Sequence, residues 1–237
     1  MRKQFWMAAF TASAAIFSPW TPFSAAQERV RDAAIGENVR DDFYAGFRGD
    51  AARLDRTMKT CDDALVANPS DAPALAWRGG GFLFLGAQAL RRGEPAKGSE
   101  PYAKGLQQMQ SALDLGPNNI SVRIIRGATL QDAARRSPGP AEAEQLMRTA
   151  LEDYEKTLSL QEPYFDRVPA HGRGELLLGL ADGYSRTGDR GTAAAFFERI
   201  RKELPGSAYA QSASQWLETR TPLPIKQAGC LGCHQGN

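Results

Sequence analysis

Residues 64–79 are ALVANPSDAPALAWRG, and residues 112–127 are ALDLGPNNISVRIIRG. Both stretches begin with Ala-Leu, carry a proline in the same place and end in Arg-Gly, so the pattern recurs after 48 residues. Thr157-Leu158 with Pro163 makes a looser third copy. In this pattern the Ala-Leu closes a helix, the proline ends it, and the glycine lies where the next helix must approach closely. The pattern therefore predicts a repeated helix pair.

Composition predicts helices along the rest of the chain as well. Ala, Leu, Arg, Glu and Gln dominate, β-branched residues are sparse, and Pro and Gly mark the ends of segments. Pro101 and Pro140 are placed in first helical turns, and Asp189 and Ser207 are placed as N-caps. The predicted helices cover residues 28–47, 50–67, 72–92, 102–115, 119–136, 140–160, 168–187, 190–204 and 207–219.

The last repeat resembles a tetratricopeptide repeat (TPR). Its large, small and aromatic positions are Leu177, Leu180, Ala181, Tyr184, Gly188, Ala193, Phe197, Ile200 and Pro205. The resemblance extends over most of residues 40 to 205, but longer loops are expected at Arg92–Glu100, Arg136–Gly139 and Gln161–Pro169. It implies an all-α, TPR-like α-solenoid of helical hairpins, which we assign to residues 27–219.

Such an array implies a protein partner, either a redox protein or another protein held by the scaffold. The partner is expected on the concave face formed by the helices at 72–92, 119–136 and 168–187. Arg78 and Arg126 occupy equivalent repeat positions. They could present a basic line to a carboxylate or acidic peptide, or each could pair with an acidic residue of a neighbouring helix, and we favour the pairing.

Near the C-terminus the chain reads Cys230-Leu231-Gly232-Cys233-His234, the C-x-x-C-H pattern of covalent haem attachment. Cys230 and Cys233 would form thioethers to one haem c, and His234 would be the proximal iron ligand. A disulfide, or a metal clip completed by a further ligand, stays an alternative. The motif resembles that of c-type cytochromes, but only three residues follow it here, so no chain remains to wrap the haem.

The sixth iron ligand is open at this stage. His171 is the only other histidine and is a candidate distal ligand. Met58, Met109 and Met147 are further candidates. The sixth ligand could also come from a partner or from solvent, or the sixth position could be empty. Residues 220–237, which contain Pro222 and Pro224 near their start, are predicted to form a flexible tail that carries the motif.

The N-terminus carries the pattern of a signal peptide over residues 1–26. Arg2 and Lys3 precede an apolar stretch, and Ser24-Ala25-Ala26 suits signal peptidase. We therefore expect a periplasmic or extracellular protein with no membrane contact beyond the leader, although an uncleaved anchor is an alternative. Without the leader's two basic residues, 27 basic residues balance 27 acidic ones, which argues against a nucleic-acid partner.

Other conspicuous residues are assigned to packing. Gly79-Gly80-Gly81 lies inside a helical pattern and is interpreted as a close helix contact rather than a phosphate loop. Cys61 is interpreted as a buried apolar residue. No combination of residues suggests catalysis, so we expect no enzyme.

Two functions are carried forward from the sequence. The first is a monohaem protein that docks a partner and transfers electrons. The second is a scaffold without haem, whose tail forms a disulfide or metal clip. Self-assembly through the tail is also open.

Overall fold

The computed structural model describes residues 39–224, and the regular secondary structure of this part of the chain is helical, with no strand. Residues 39–47 belong to α1, and a 3₁₀ turn, Glu162–Arg167, follows α6. The remaining helices are α2 (Ala51–Ala67), α3 (Ala72–Arg91), α4 (Pro95–Leu115), α5 (Ile120–Arg136), α6 (Pro140–Gln161), α7 (Ala170–Arg186), α8 (Arg190–Glu203) and α9 (Ala208–Thr219). The prediction of an all-α fold is confirmed.

Consecutive helices pack as hairpins, and the hairpins stack. The most extensive contacts are α3 with α4, α5 with α6, and α7 with α8. Across hairpins, α3 contacts α5 and α5 contacts α7. The three hairpins begin at Ala72, Ile120 and Ala170, so the repeat of 48 residues read from the sequence separates the first two. This arrangement confirms the predicted helix pairs.

Capping residues recur with the repeat and fix where its helices begin. The side chain of Asp71 accepts from Ala74 N, and that of Asn119, 48 residues later, accepts from Val122 N. Asp189 and Ser207 cap α8 and α9 in the same way, as predicted. Each cap satisfies a backbone N–H that the helix itself leaves without a partner.

Glycines let α3 lie against its neighbours on several sides. A Cβ at Gly79 would stand 2.9 Å from Gly105 O of α4, and one at Gly80 would stand 2.9 Å from the ring of Phe43 in α1. At Gly81 the obstacle is Met58 of α2. Successive helical residues point about 100° apart, so the three glycines face three different helices. The assignment of this stretch to close packing is confirmed.

Helix α3 and helix α4 pack backbone against backbone. A Cβ at Gly86 would stand 2.4 Å from Tyr102 N, and one at Gly105 would stand 2.4 Å from Leu83 N. Gly98 meets Gly86 O at 2.8 Å in the same way. Gly79 and Gly86 therefore pair with Gly105 and Gly98, which shows that the two helices run antiparallel.

Two predicted loops are helical instead. The prediction that Arg92–Glu100 is a loop and that Pro101 lies in a first turn is wrong, because α4 begins at Pro95 and contains Pro101. Pro101 removes one helical N–H, but the turns before it are stabilised by the contact between Gly98 and Gly86. Most of Gln161–Pro169 forms the 3₁₀ turn, which buries Phe165.

The packed part of the chain continues beyond the last helix. Arg220 ends α9 in the left-handed conformation, with φ 55°, which turns the chain back toward α7. Leu223 is then 2% exposed and belongs to the same core as Trp216. The tail was predicted to begin at residue 220, whereas the structure holds the chain against the core as far as Leu223.

Candidate functional site

The predicted haem ligands and the predicted leader lie outside the described residues. This applies to Cys230, Cys233 and His234 and to residues 1–26. Between residues 39 and 224, no three His, Cys, Asp or Glu side chains are grouped as a metal site would require. In the same range no helix is long and apolar enough to cross a membrane.

His171, the candidate distal ligand, is engaged on both sides of its ring. Its Nδ1 lies 2.9 Å from the hydroxyl of Tyr209, and its Nε2 lies 3.2 Å from Oε1 of Glu175. The hydrogen bond to Glu175 favours the charged imidazolium and raises the pKa of His171. Iron would need one of these two nitrogens as a lone-pair donor, so ligation would break a contact that joins α7 to α9 or to Glu175.

The candidate methionine ligands are parts of the packing between helices. Met109 and Met147 are 0% and 3% exposed and belong to one core cluster. The sulfur of Met58 lies against Gly81. Because Met109 and Met147 are buried, a haem on the tail would reach their sulfurs only if that core opened.

Cys61 is fully buried in the core formed with Trp77. Burial raises the pKa of its thiol to about 12. The thiol is therefore neutral at physiological pH and unreactive, in agreement with its assignment as an apolar residue. A disulfide between Cys61 and a tail cysteine would require the core to open.

Arg78 and Arg126 form structural ion pairs, as we favoured. Arg78 Nη1 lies 2.8 Å from Asp62 Oδ1 of α2, and its Nε donates to Gln108 of α4. Arg126 Nη1 lies 2.6 Å from Asp153 Oδ2 of α6, and its Nη2 donates to Gln110 of α4. The equivalent arginines thus hold the helices on either side of α3 and α5.

A buried ion-pair network fixes the point where the tail leaves the folded part. Asp182 of α7 is 0% exposed, and its Oδ2 lies 2.8 Å from Nη2 of Arg135 and 2.8 Å from Nε of Arg186. Arg186 also donates through Nη2 to the backbone carbonyl of Leu223, at 2.6 Å. One guanidinium therefore joins the buried carboxylate to the last residue held in the core.

Sequence patterns gave no indication of this network. Asp182 and Arg186 are spaced i, i+4 on α7, which is an ordinary helical ion pair, and Arg135 is distant in sequence. Leu223 lies between two prolines in a segment whose composition suits a linker. Only the stacking of α5 on α7 brings these residues together.

A groove lies between α4 and α6, with α5 as its floor, and has a volume of about 420 Å³. Its apolar lining is contributed by Leu106, Met109, Leu130 and Leu146, and Arg126 lies at its base. The groove forms because α4 and α6 both pack on α5 but have no extensive contact with each other. No pattern of residues predicted this groove.

Comparisons with known proteins leave the family of this chain open. No protein-family model matches it, and neither the curated proteins nor the solved structures contain a match. The helical hairpins are shown by the structure itself, and the resemblance to tetratricopeptide repeats stays a prediction from the residues.

Proposed function

We propose that this protein is an exported helical scaffold that carries one covalent haem c and exchanges electrons with a protein partner. Cys230 and Cys233 would hold the porphyrin through thioethers, and His234 would bind the iron. A bound haem supplies a one-electron redox centre. The observation that carries the proposal is the C-x-x-C-H sequence at the end of a tail whose start is fixed to the folded domain.

The anchored tail supports a role in presenting a redox centre. Leu223 is held by burial and by Arg186, and Cys230 follows seven residues later. Seven extended residues span at most about 25 Å, so the attachment site stays within that distance of the C-terminal ends of α7 and α9. A partner docked at this end of the molecule would meet the haem, whereas a partner at the α1–α2 end would not.

The environment of the other candidate ligands supports an iron whose sixth position is open to solvent or to a partner. His171 lies 15 residues from Arg186 along α7, a distance of about 22 Å at 1.5 Å per residue. The tail could reach it, but both ring nitrogens already have partners, and Met109 and Met147 are buried. We therefore do not assign a distal ligand from the described residues.

The test begins with haem attachment. The full-length protein is exported in a host that expresses the c-haem attachment machinery, and its intact mass and pyridine haemochrome spectrum are measured. One haem that survives denaturation is expected, with its complete loss when Cys230 and Cys233 are replaced by alanine. The matched control is Cys61→Ala, which should keep the haem because the Cys61 thiol is buried and neutral.

A chain without haem, lighter only by the two hydrogens of a Cys230–Cys233 disulfide, would overturn the proposal and leave a binding scaffold. If haem is attached, His171→Ala should leave the visible spectrum of the ferric protein unchanged, and added imidazole should bind the iron. A change from a low-spin to a high-spin spectrum in His171→Ala would show that His171 is a ligand after all.

A further inference from the structure

The groove between α4 and α6 has an apolar side and a polar side. Its polar lining residues are Arg126, Glu142, Gln107, Gln110, Gln145 and Thr149. Leu106 of α4, Leu130 of α5 and Leu146 of α6 provide the apolar surface, and Met109, which also borders the groove, is fully buried. The volume of about 420 Å³ is within the range of small-molecule sites. The leucines on its apolar side suit a hydrocarbon chain.

Arg126 brings a positive charge to the base of this groove. Its residue is only 9% exposed, and it shares its carboxylate partner, Asp153, with Arg123. The cluster of Arg123, Arg126 and Asp153 therefore has one positive charge more than negative. Burial also raises the pKa of Asp153, so this carboxyl holds its negative charge less readily than an exposed one.

Arg126 also has hydrogen-bonding capacity to spare. A guanidinium has five N–H donors, and the described residues accept from Arg126 only through Asp153 and Gln110. A ligand carboxylate would supply both the missing negative charge and further acceptors. The charge balance and the donors point to the same ligand group.

Glu142, at the end of the groove away from Arg126, limits the ligand to a single acidic group. The two carboxylate oxygens of Glu142 accept from the hydroxyls of Tyr102 and Ser137. From Glu142 to Thr149, the lining residues of α6 extend for seven residues, or about 11 Å. A second carboxylate would meet Glu142, whereas a methyl end would not be repelled.

We propose that this groove binds a medium-chain monocarboxylate, with its carboxylate on Arg126 and its hydrocarbon chain along Leu106, Leu130 and Leu146. The inference does not rest on the haem, because no part of the tail contributes to it. Arg78 gives it a natural contrast. Arg78 stands at the equivalent repeat position with the same kind of aspartate and glutamine partners, but it is not among the residues that line this groove.

Isothermal titration calorimetry with octanoate, octanol and octyltrimethylammonium tests the proposal. Octanoate should bind one site per chain, octanol at least tenfold more weakly, and the cation not at all. A charge-assisted hydrogen bond contributes roughly 1.5–3 kcal/mol, so Arg126→Met should weaken octanoate binding about tenfold or more. Arg78→Met should leave it unchanged.

A second variant keeps the test valid if Arg126→Met is unstable. Thr149 lines the groove and is half-buried on α6, outside the core clusters, so Thr149→Trp should fill the groove and abolish binding. The inference would be overturned by wild-type protein that binds no octanoate, by equal losses in Arg126→Met and Arg78→Met, by undiminished binding in Thr149→Trp, or by equal affinity for octanoate and the cation.

Discussion

Gly105→Ala tests the close packing of α3 on α4. The added Cβ would stand 2.4 Å from Leu83 N and 2.7 Å from Gly79 O, whereas carbon atoms in ordinary contact lie about 3.5 Å or more apart. Both obstacles are backbone atoms, so the helices must separate by about 1 Å. Overpacking of this kind costs about 1–3 kcal/mol, and the better helix propensity of alanine returns about 1 kcal/mol. Because the clash is with backbone atoms, the cost of overpacking should be about 3 kcal/mol, and we expect a net loss of about 2 kcal/mol in the free energy of unfolding.

Gly191→Ala is the matched control, since it adds the same methyl group to another helix. There the nearest atom to the new Cβ is Asp189 Oδ1 at 3.7 Å, which is ordinary contact. This variant should be as stable as the wild type or gain up to about 1 kcal/mol. Urea unfolding followed by circular dichroism measures the free energy of unfolding of both variants. In thermal unfolding, a loss of about 2 kcal/mol corresponds to a drop in Tm of about 4–8 °C. Equal stability of Gly105→Ala and Gly191→Ala would refute the account of this interface.

Three further outcomes follow from buried and titrating groups. The first concerns the buried thiol of Cys61, whose pKa is raised to about 12. In a variant whose tail cysteines are alanine, this thiol should react with a disulfide reagent at pH 8 only as fast as the protein unfolds, and prompt reaction would contradict its burial. Asp182→Asn leaves two guanidinium groups without their carboxylate and should cost about 3–5 kcal/mol in urea unfolding, against less than about 1 kcal/mol for the exposed Asp63→Asn. The raised pKa of His171 means that its bond to Glu175 stabilises the folded state fully below pH 6.5 and loses that effect as pH rises through the folded pKa. The pH dependence of the unfolding free energy should therefore be flatter in His171→Gln between pH 5 and 8, and an unchanged slope would contradict this assignment.

Local chemistry explains why much of the fold was predictable. The caps Asp189 and Ser207 act within three residues of themselves, so their neighbours in sequence were sufficient to find them. The recurrence of Ala-Leu, proline and Arg-Gly likewise indicates where helices end and where one close helix contact lies in each repeat, so the helix pairs could be predicted. Arg126 could be assigned to an ion pair because most arginines are either solvated or in structural pairs, and the structure supplies its partner, Asp153.

Long-range packing explains what sequence missed. Helix α4 starts six residues before Pro101 because Gly98 meets Gly86 across the hairpin, and no local signal around Pro101 carries that information. The groove exists because α4 and α6 leave a gap above α5, which depends on helix positions rather than on any residue pattern. The link from Asp182 through Arg186 to Leu223 joins segments that are about forty residues apart.

The three successive glycines of α3 also limit how this array can change during evolution. At Gly79 the nearest atoms include the backbone of α4, and at Gly80 the ring of Phe43 leaves no room for a methyl group, whereas the flexible Met58 beside Gly81 can yield. A repeat unit inserted beside α3 would need a glycine, or a gap of the same size, at each place where its helices contact these faces of α3. We therefore expect lineages of this protein to keep α3 and its neighbours intact and to place any inserted or lost repeat elsewhere in the array.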